Sequence, residues 1–337
     1  MTRPQKSAQT ASIAELLPEA LPEILPLQPY LREIIWGGRR LQRFGKQLPP
    51  DIPIGESFEV SALPEQDSVV RCGELAGLGL RDVLSHYGEK LVGSAVVARY
   101  QDDFPLLIKL IDAQDDLSLQ VHPDDAYARS EGLGTFGKTE AWFVLHSDGA
   151  RLALGLPQGT DAARLQEALT DGRAEDAVLY QDVEVNDVVF LKAGTVHALC
   201  RGVMVYEVQQ SSNLTFRLYD YGRLGLDGSP RQLHIDRGLA VTDFDAPIPQ
   251  PTAAPEPGPD GAMLVEADEF TLSLHGAGSN QLTTADAFAA VTVISGSGEF
   301  ADITLNLGET ALIPAQRTLS VVPTSSELSY LVARPGC

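Results

Sequence analysis

The segment NDVVFLKAGTVHAL, residues 186–199, decides the fold because the chain contains it in two versions. The segment GETALIPAQRTLSV, residues 308–321, aligns with it without a gap. Each version is typical of two strands joined by a turn. His197 of the first version corresponds to Leu319 of the second. The repeat therefore predicts two related β-sandwiches, with polar chemistry expected in the first sandwich only.

Most of the remaining segments also have the composition of short strands. GESFEVSAL, TEAWFVL, DVVFL and MVYEVQQ are rich in Val, Leu, Phe and Tyr. Helical patterns are few and occur at residues 80–93, 123–132, 160–172 and 233–241. This balance predicts a mainly β protein with two jelly-roll β-sandwich domains and a few helices appended to the first.

Prolines mark two breaks along the chain. Four prolines lie within residues 18–29, a spacing that breaks any helix, and they predict an extended, dispensable leader at residues 1–29. The stretch 245–261 holds six prolines and shows no strand-like alternation, which is typical of a semi-rigid linker. We therefore expect a large domain at residues 30–244 and a small one at residues 262–337.

Composition excludes several classes of function. The 337 residues include 25 Lys and Arg against 46 Asp and Glu, a net charge of -21, which disfavours nucleic acid and anionic membranes as partners. An anionic substrate would need a local basic pocket. No apolar run reaches about 18 residues, and the N-terminus lacks a signal-peptide pattern. Cys72, Cys200 and Cys337 are odd in number and widely spaced, which favours a reduced, cytoplasmic protein.

The segment SLQVHPDD, residues 118–125, combines a strand pattern with polar residues. Because alternate residues of a strand point to the same face, Ser118, Gln120 and His122 are predicted to share one side. Pro123 and the two aspartates after it are expected to end the strand and start a helix.

Glu140 and His197 extend this polar set to four residues. Together with Gln120 and His122 they offer two imidazoles, a carboxylate and an amide oxygen, which suit zinc or another divalent metal. Taken singly, a strand histidine is more often a hydrogen-bonded structural residue, so spacing alone leaves both interpretations open.

Charged residues in the same part of the chain are further candidates. A guanidinium on the inward face of the strand around Arg217 would meet either a phosphate, a developing oxyanion or an acidic residue of the protein. Lys138 shares a face with Glu140 if their strand extends backwards, and is otherwise an exposed loop residue. Glu207 is a candidate acid or base. Arg223, next to a turn, is expected to be a solvated loop charge.

Seven motifs follow one another between about residues 30 and 245: REIIWGGRRL, IGESFEVS, FPLLIKLIDAQDDLSLQVHPDD, GKTEAWFVL, KAGTVHAL, EVQQSSNLTFRLYDYGR and RQLHIDRGLA. In this order they closely resemble the type I mannose-6-phosphate isomerases in their short bacterial form. The resemblance implies a cupin fold and a zinc-dependent enzyme that interconverts mannose 6-phosphate and fructose 6-phosphate through an enediol-type intermediate. A sugar phosphate is then the expected partner, and the expected state is a monomer or weak homodimer.

The resemblance also implies roles for individual residues. The metal positions of the family, for one Zn²⁺ per chain, fall on Gln120, His122, Glu140 and His197. Arg217 falls on the catalytic arginine of the family, and Lys138 and Glu207 fall on other polar positions of its active site. Asn186 stands where a cupin turn usually has glycine. Because asparagine tolerates the left-handed conformation, we expect the turn to be kept.

Two functions of other classes remain open at this point. An iron-dependent cupin oxygenase could use the same two histidines and glutamate. A sugar-phosphate sensor without catalytic activity could use the same fold. The general base is also open, with Glu207 as the first candidate.

Overall fold

Strands make up most of the regular structure in residues 17–337, the part of the chain that this computed structural model describes. The strands of the first part of the chain are β1 (Leu25–Gln28), β2 (Tyr30–Gly38), β3 (Ile54–Val60), β4 (Val69–Val70), β5 (Leu106–Asp112), β6 (Leu119–Val121), β7 (Glu140–Ser147), β8 (Arg151–Leu154), β9 (Tyr180–Asp182), β10 (Asp187–Leu191), β11 (His197–Leu199), β12 (Val203–Gln210) and β13 (Phe216–Tyr219). Those that follow are β14 (Thr252–Ala253), β15 (Ala262–Glu266), β16 (Phe270–Gly276), β17 (Gln281–Thr284), β18 (Ala289–Ser295), β19 (Ser297–Phe300), β20 (Ile303–Asn306), β21 (Thr310–Ile313), β22 (Arg317–Pro323) and β23 (Ser329–Pro335). The predicted mainly β class is confirmed.

The α-helices of the described residues all lie before residue 242. They are α1 (Leu80–Tyr87), α2 (Glu89–Val92), α3 (Ser94–Tyr100), α4 (Asp125–Ser130), α5 (Ala162–Thr170) and α6 (Ile235–Val241). The pattern at residues 80–93 predicts one helix, but Gly88 at φ 49° and Gly93 at φ 94° break it, and α3 follows unpredicted. None of these helices is long and apolar enough to cross a membrane.

The strands pair into four antiparallel sheets, which we number by the layers they form. Sheet I has the order β14-β10-β7-β12-β5-β3-β2, and sheet II has the order β13-β6-β11-β8-β9. Sheet III has the order β15-β16-β23-β18-β21-β1-β4, and sheet IV has the order β17-β22-β19-β20. The first sandwich consists of sheets II and I, and the second consists of sheets III and IV.

Sheet I buries both of its faces because its strands alternate apolar residues between two cores. On β12, Val203 and Val205 belong to the core between sheets I and II. Met204, Tyr206 and Val208 point the other way, into a core that sheet I shares with sheet III. The two sandwiches are therefore joined by a continuous apolar layer.

The same alternation places sheet III between two cores. On β21, Leu312 joins the core shared with sheet I, whereas Ala311 and Ile313 join the core of the second sandwich. Helices α5 and α6 cover the outer face of sheet II through residues such as Leu165 and Leu239. The layers thus run from helices through sheets II, I and III to sheet IV.

The repeated segment adopts the same turn in both versions. Asn186 and Gly308, its first aligned positions, have left-handed φ angles of 72° and 79°. Their N–H groups donate to the carbonyls of Val144 and Val293, at 2.9 and 2.8 Å. The segment crosses from sheet I to sheet II in the first version and from sheet III to sheet IV in the second. The predicted repeat is confirmed, and asparagine keeps the turn as expected.

Strand register shows what the second sandwich holds at the positions of the polar residues. Four positions correspond by their place in the paired strands: Leu282 to Gln120, Thr284 to His122, Ala289 to Glu140 and Leu319 to His197. The four residues of the second sandwich are all buried. Its interior at this point is therefore apolar, apart from one threonine hydroxyl that donates to a backbone carbonyl.

Residues near the N-terminus contribute to sheet III. Strand β1 lies between β21 and β4, and Leu25 and Leu27 are buried. Residues 21–28 are therefore part of the packed structure and not a separate leader, while residues 1–16 of the predicted leader lie outside the described part. Within the predicted linker, β14 pairs with β10 of sheet I. The division into domains at residues 245–261 stays a prediction.

Candidate active site

Two rows of polar side chains meet inside the first sandwich. In sheet II, strands β13, β6 and β11 are neighbours and bring Arg217, Gln120 and His197 into register. In sheet I, β12 and β5 bring Glu207 beside Lys109. Residues directly opposite on neighbouring strands share a face of the sheet. The sandwich therefore collects polar groups from distant parts of the sequence in one place.

A buried cluster of His122, Glu140 and His197 lies at the centre of these rows. One ligand atom from each residue lies within 4.8 Å of the other two. The Oε1 atom of Glu140 is 3.1 Å from Nε2 of His197 and 3.8 Å from Nε2 of His122. Each side chain is at most 2% exposed. The three residues lie beyond the end of β6, at the start of β7 and at the start of β11.

Backbone carbonyls orient both imidazoles. Nδ1 of His122 is 2.7 Å from the carbonyl of Leu214, and Nδ1 of His197 is 2.9 Å from the carbonyl of Thr195. Because a carbonyl can only accept, each Nδ1 carries the hydrogen and each Nε2 turns a lone pair towards the cluster. Burial, helped by the charge of Lys138, holds the pKa of His122 well below its usual range.

Glu140 supplies the negative charge of the cluster. Burial raises the pKa of Glu140, but Lys138 and the two histidines outweigh burial and hold this pKa well below its usual range. Its Oε1 atom is buried and receives no hydrogen bond from the described residues. Oε1 of Glu140 and Nε2 of both histidines thus direct lone pairs at one another. A divalent cation would satisfy all three, so the donor set fits a metal ion.

Gln120 and Lys138 lie directly against the cluster. The side-chain amide of Gln120 is 3.4 Å from Nε2 of His197. Nζ of Lys138 pairs with Oε2 of Glu140 and lies 3.2 Å from Nε2 of His122. Burial lowers the pKa of Lys138, but Glu140 and Glu207 more than compensate and raise it. Lys138 is therefore a buried, charged residue and not an exposed loop lysine.

A cleft of about 520 Å³ opens above the cluster. Its lining includes the other four of the predicted site residues, Gln120, Lys138, Glu207 and Arg217. The His122, Glu140 and His197 side chains lie beneath its floor, in contact with Gln120 and Lys138. The structure therefore brings all seven predicted residues together.

One wall of the cleft carries alternating charges. Arg32 pairs with Glu56 at 3.0 Å, and Glu56 pairs with Lys109 at 3.3 Å. Lys109 lies 3.5 Å from Glu207, which lies 3.9 Å from Lys138. The sequence analysis missed Arg32, Glu56 and Lys109. The available signal was a charged residue inside each of two otherwise apolar strands, IGESFEV and LLIKLID.

Glu207 has one free carboxylate oxygen in this wall. Its Oε2 atom accepts a hydrogen bond from the indole N–H of Trp142 at 2.9 Å. Its Oε1 atom is buried and receives no hydrogen bond from residues 17–337. Burial raises the pKa of Glu207, and the nearby Lys138 only partly offsets that effect. Glu207 is therefore the carboxyl group of the cleft best suited to exchange a proton.

Arg217 differs from the other arginines of the cleft in having no acidic partner. Its Nε donates to the hydroxyl of Ser118 at 3.2 Å, and NH1 donates to the carbonyl of Gln232 at 2.9 Å. Arg32 pairs with Glu56, whereas no carboxylate of the described chain forms a salt bridge with Arg217. Burial and the nearby Arg231 lower the pKa of Arg217. The guanidinium remains available to an anion.

Arg223 does not behave as the sequence predicts. Instead of being solvated, its guanidinium pairs with Asp220 at 2.7 Å and donates to the carbonyl of Asp116. Arg231 pairs with the same aspartate. Asp220 therefore holds the loop at the mouth of the cleft by both ends, which sequence spacing could not reveal.

Comparisons with known proteins agree with this arrangement. Residues 24–147 match the family model described as phosphomannose isomerase type I, catalytic domain. The chain is 34% identical over 294 residues to the mannose-6-phosphate isomerase of Streptococcus mutans, covering 86% of this chain and 90% of that protein. It is 32% identical over 279 residues to mannose-6-phosphate isomerase ManA of Bacillus subtilis, covering 82% and 87%.

A solved structure shows the same fold. The crystal structure of the mannose 6-phosphate isomerase from Bacillus subtilis superimposes with a TM-score of 0.81 at 29% identity, covering 93% of this chain and 99% of that one. The similarity thus extends through both sandwiches and beyond the region that the family model matches. The chain belongs to the type I phosphomannose isomerase family.

Proposed function

We propose that the protein is a zinc-dependent isomerase that interconverts D-mannose 6-phosphate and D-fructose 6-phosphate. The observation that carries the proposal is the His122, Glu140 and His197 cluster beneath a cleft that also presents the unpaired Arg217. The substrate follows from the relatives, which are named for this activity. An anionic sugar entering so acidic a protein needs a local cation, and Arg217 supplies one.

His122, Glu140 and His197 would hold the zinc, with the amide of Gln120 as a fourth ligand. Two neutral imidazoles and a carboxylate are common zinc ligands, and they leave room for substrate oxygens. When bound, zinc would supply Lewis-acid polarisation of the carbonyl and hydroxyl oxygens of the sugar. The carbonyls that fix each Nδ1 hold both rings ready for this role.

We assign the role of general base to Glu207. Its free Oε1 would take the proton from C2 of the aldose, the electron pair left behind would form the C1–C2 double bond, and the oxygen at C1 would gain a proton. Return of a proton to C1 and loss of the proton on the C2 oxygen then give the ketose, so atoms and electrons balance. The buried, unbonded state of Oε1 supports this assignment.

Two cations would stabilise the negative charge that develops on the sugar oxygens. Lys138 is buried beside both Glu140 and Glu207, so it would act near the reacting carbons. Arg217 would bind the phosphate or the developing oxyanion from the opposite wall of the cleft. Fixed charges in a site that excludes water stabilise a transition state more than the same charges would in solvent.

A coupled assay with mannose 6-phosphate, run with and without a chelator, tests the proposal. We expect activity to disappear with the chelator and to return with zinc. Activity that persists in a verified metal-free sample would refute the zinc role. Binding without turnover would favour a sensor, and iron content with oxygen consumption would favour an oxygenase.

We also propose that the protein works in the cytoplasm as a monomer or weak homodimer. Its three cysteines are free, which agrees with a reducing compartment. Size-exclusion chromatography at several protein concentrations tests the oligomeric state, and a stable larger assembly would contradict the proposal.

A further inference from the structure

Thr139 joins the metal cluster to the second sandwich. It lies between Lys138 and Glu140 in sequence and is 2% exposed. Its hydroxyl donates to Oε1 of Glu269 at 3.2 Å and accepts from the backbone N–H of Ala193 at 3.4 Å. Glu269 precedes β16 of sheet III. A residue of the second sandwich is therefore two hydrogen bonds away from the turn that precedes His197.

That turn contacts both histidines of the cluster. The N–H of Gly194 donates to the carbonyl of His122 at 2.9 Å. The carbonyl of Thr195 accepts from Nδ1 of His197 at 2.9 Å. A shift of the turn would therefore move both imidazoles relative to Glu140.

Glu269 itself is held firmly. Its carbonyl accepts from the N–H of Gly336 at 2.9 Å, and the next residue, Phe270, is fully buried. The Phe270 ring contacts Phe190 of β10, with 6.4 Å between ring centroids. Arg99 also donates to the carbonyl of Asp268 at 2.7 Å. The carboxylate thus approaches Thr139 from a fixed platform.

We propose that Glu269 is a positioning residue for the metal cluster and acts through Thr139. A hydroxyl has one hydrogen, and a carboxylate acceptor fixes where that hydrogen points. With the hydrogen directed at Glu269, a lone pair of Oγ1 is directed at Ala193, which holds the turn in place. The inference rests on the proposed metal site, and it gives the second sandwich a part in building that site.

Release of zinc into a chromophoric chelator tests this inference. Glu269→Ala should release zinc about 3- to 10-fold faster than the wild type, since it loses one hydrogen bond in the chain of contacts. Glu269→Gln should stay close to the wild type because its amide oxygen still accepts the hydrogen bond. Glu266→Ala, at an exposed position of the neighbouring strand, is the matched control and should change nothing.

Equal release rates for Glu269→Ala and the control would overturn the inference, as would a Gln variant that behaves like the Ala variant. Hydrogen exchange of the metal-free proteins provides a second readout. The peptide containing Ala193 should exchange faster in Glu269→Ala than in the wild type, while helix α5 keeps its rate. If the wild type binds no zinc, the proposed function fails, but unchanged or faster exchange at Ala193 still decides the inference.

Discussion

Arg217 presents a positive charge to the cleft that no carboxylate in residues 17–337 neutralises, so it should act on the substrate and not on the fold. Arg217→Ala should lower turnover by about 10²- to 10³-fold, a typical loss for a group that stabilises an oxyanion. Zinc content should stay unchanged. Arg151→Ala is a suitable control because Arg151 stacks on Tyr180, outside the lining of the cleft. Loss of zinc in Arg217→Ala would show a structural role instead.

Glu207 should set the acid limb of the pH profile. Since burial raises its pKa and a base must be deprotonated, turnover should fall as pH drops through that raised value, above the ordinary carboxyl range. Lys109→Met removes a cation that lowers the pKa of Glu207, so it should move the limb to higher pH. Glu207→Gln should reduce turnover by about 10²- to 10⁴-fold. An unchanged acid limb in Lys109→Met would argue against Glu207 as the base.

Single residues were predictable where a motif carried them. Gln120, His122 and Glu140 stand in motifs of the family, whereas Glu56 and Lys109 are lone charges in apolar strands. Their meaning depends on a partner from another strand, at 3.3 Å, which sequence does not show. The free guanidinium of Arg217 was equally hidden, because it depends on which acidic residues lie nearby.

Strand β1 should be essential to sheet III. Leu25 is 1% exposed, so Leu25→Ala should lower the free energy of unfolding by about 2–5 kcal/mol, measured by denaturant unfolding. Glu23→Ala, at an exposed position two residues earlier, is the control and should have little effect. Equal stability of the two variants would restore the interpretation of this segment as a leader.

The prolines explain why β1 escaped the sequence analysis. Pro26 has no N–H to donate, which usually argues against a strand with neighbours on both sides. In the structure Pro26 lies opposite Ala311 of β21, and its carbonyl accepts from the N–H of Arg71 at 2.8 Å. The strand is completed by partners far away in sequence. Strands with clear alternation, such as β7 and β12, needed no such partner to be recognised.

At the scale of the whole molecule, the two sandwiches should not separate cleanly. A chain ending at residue 244 would expose the apolar face of sheet I, including Leu110, Phe143 and Tyr206, which now packs on sheet III. We expect this fragment to bind a hydrophobic dye and to aggregate, while the full chain does neither. A soluble fragment with cooperative unfolding and full activity would show that the predicted boundary divides independent domains.

The second sandwich repeats the turn of the first but fills its interior with Leu282, Ala289 and Leu319. Buried charges such as those around Glu140 cost free energy unless every one is paired, so the first sandwich sacrifices packing for chemistry. Its twin makes no such sacrifice and shares an apolar layer with it. Duplication has thus produced a division of labour, in which one copy is free to change its ligands over evolution because the other keeps the molecule folded.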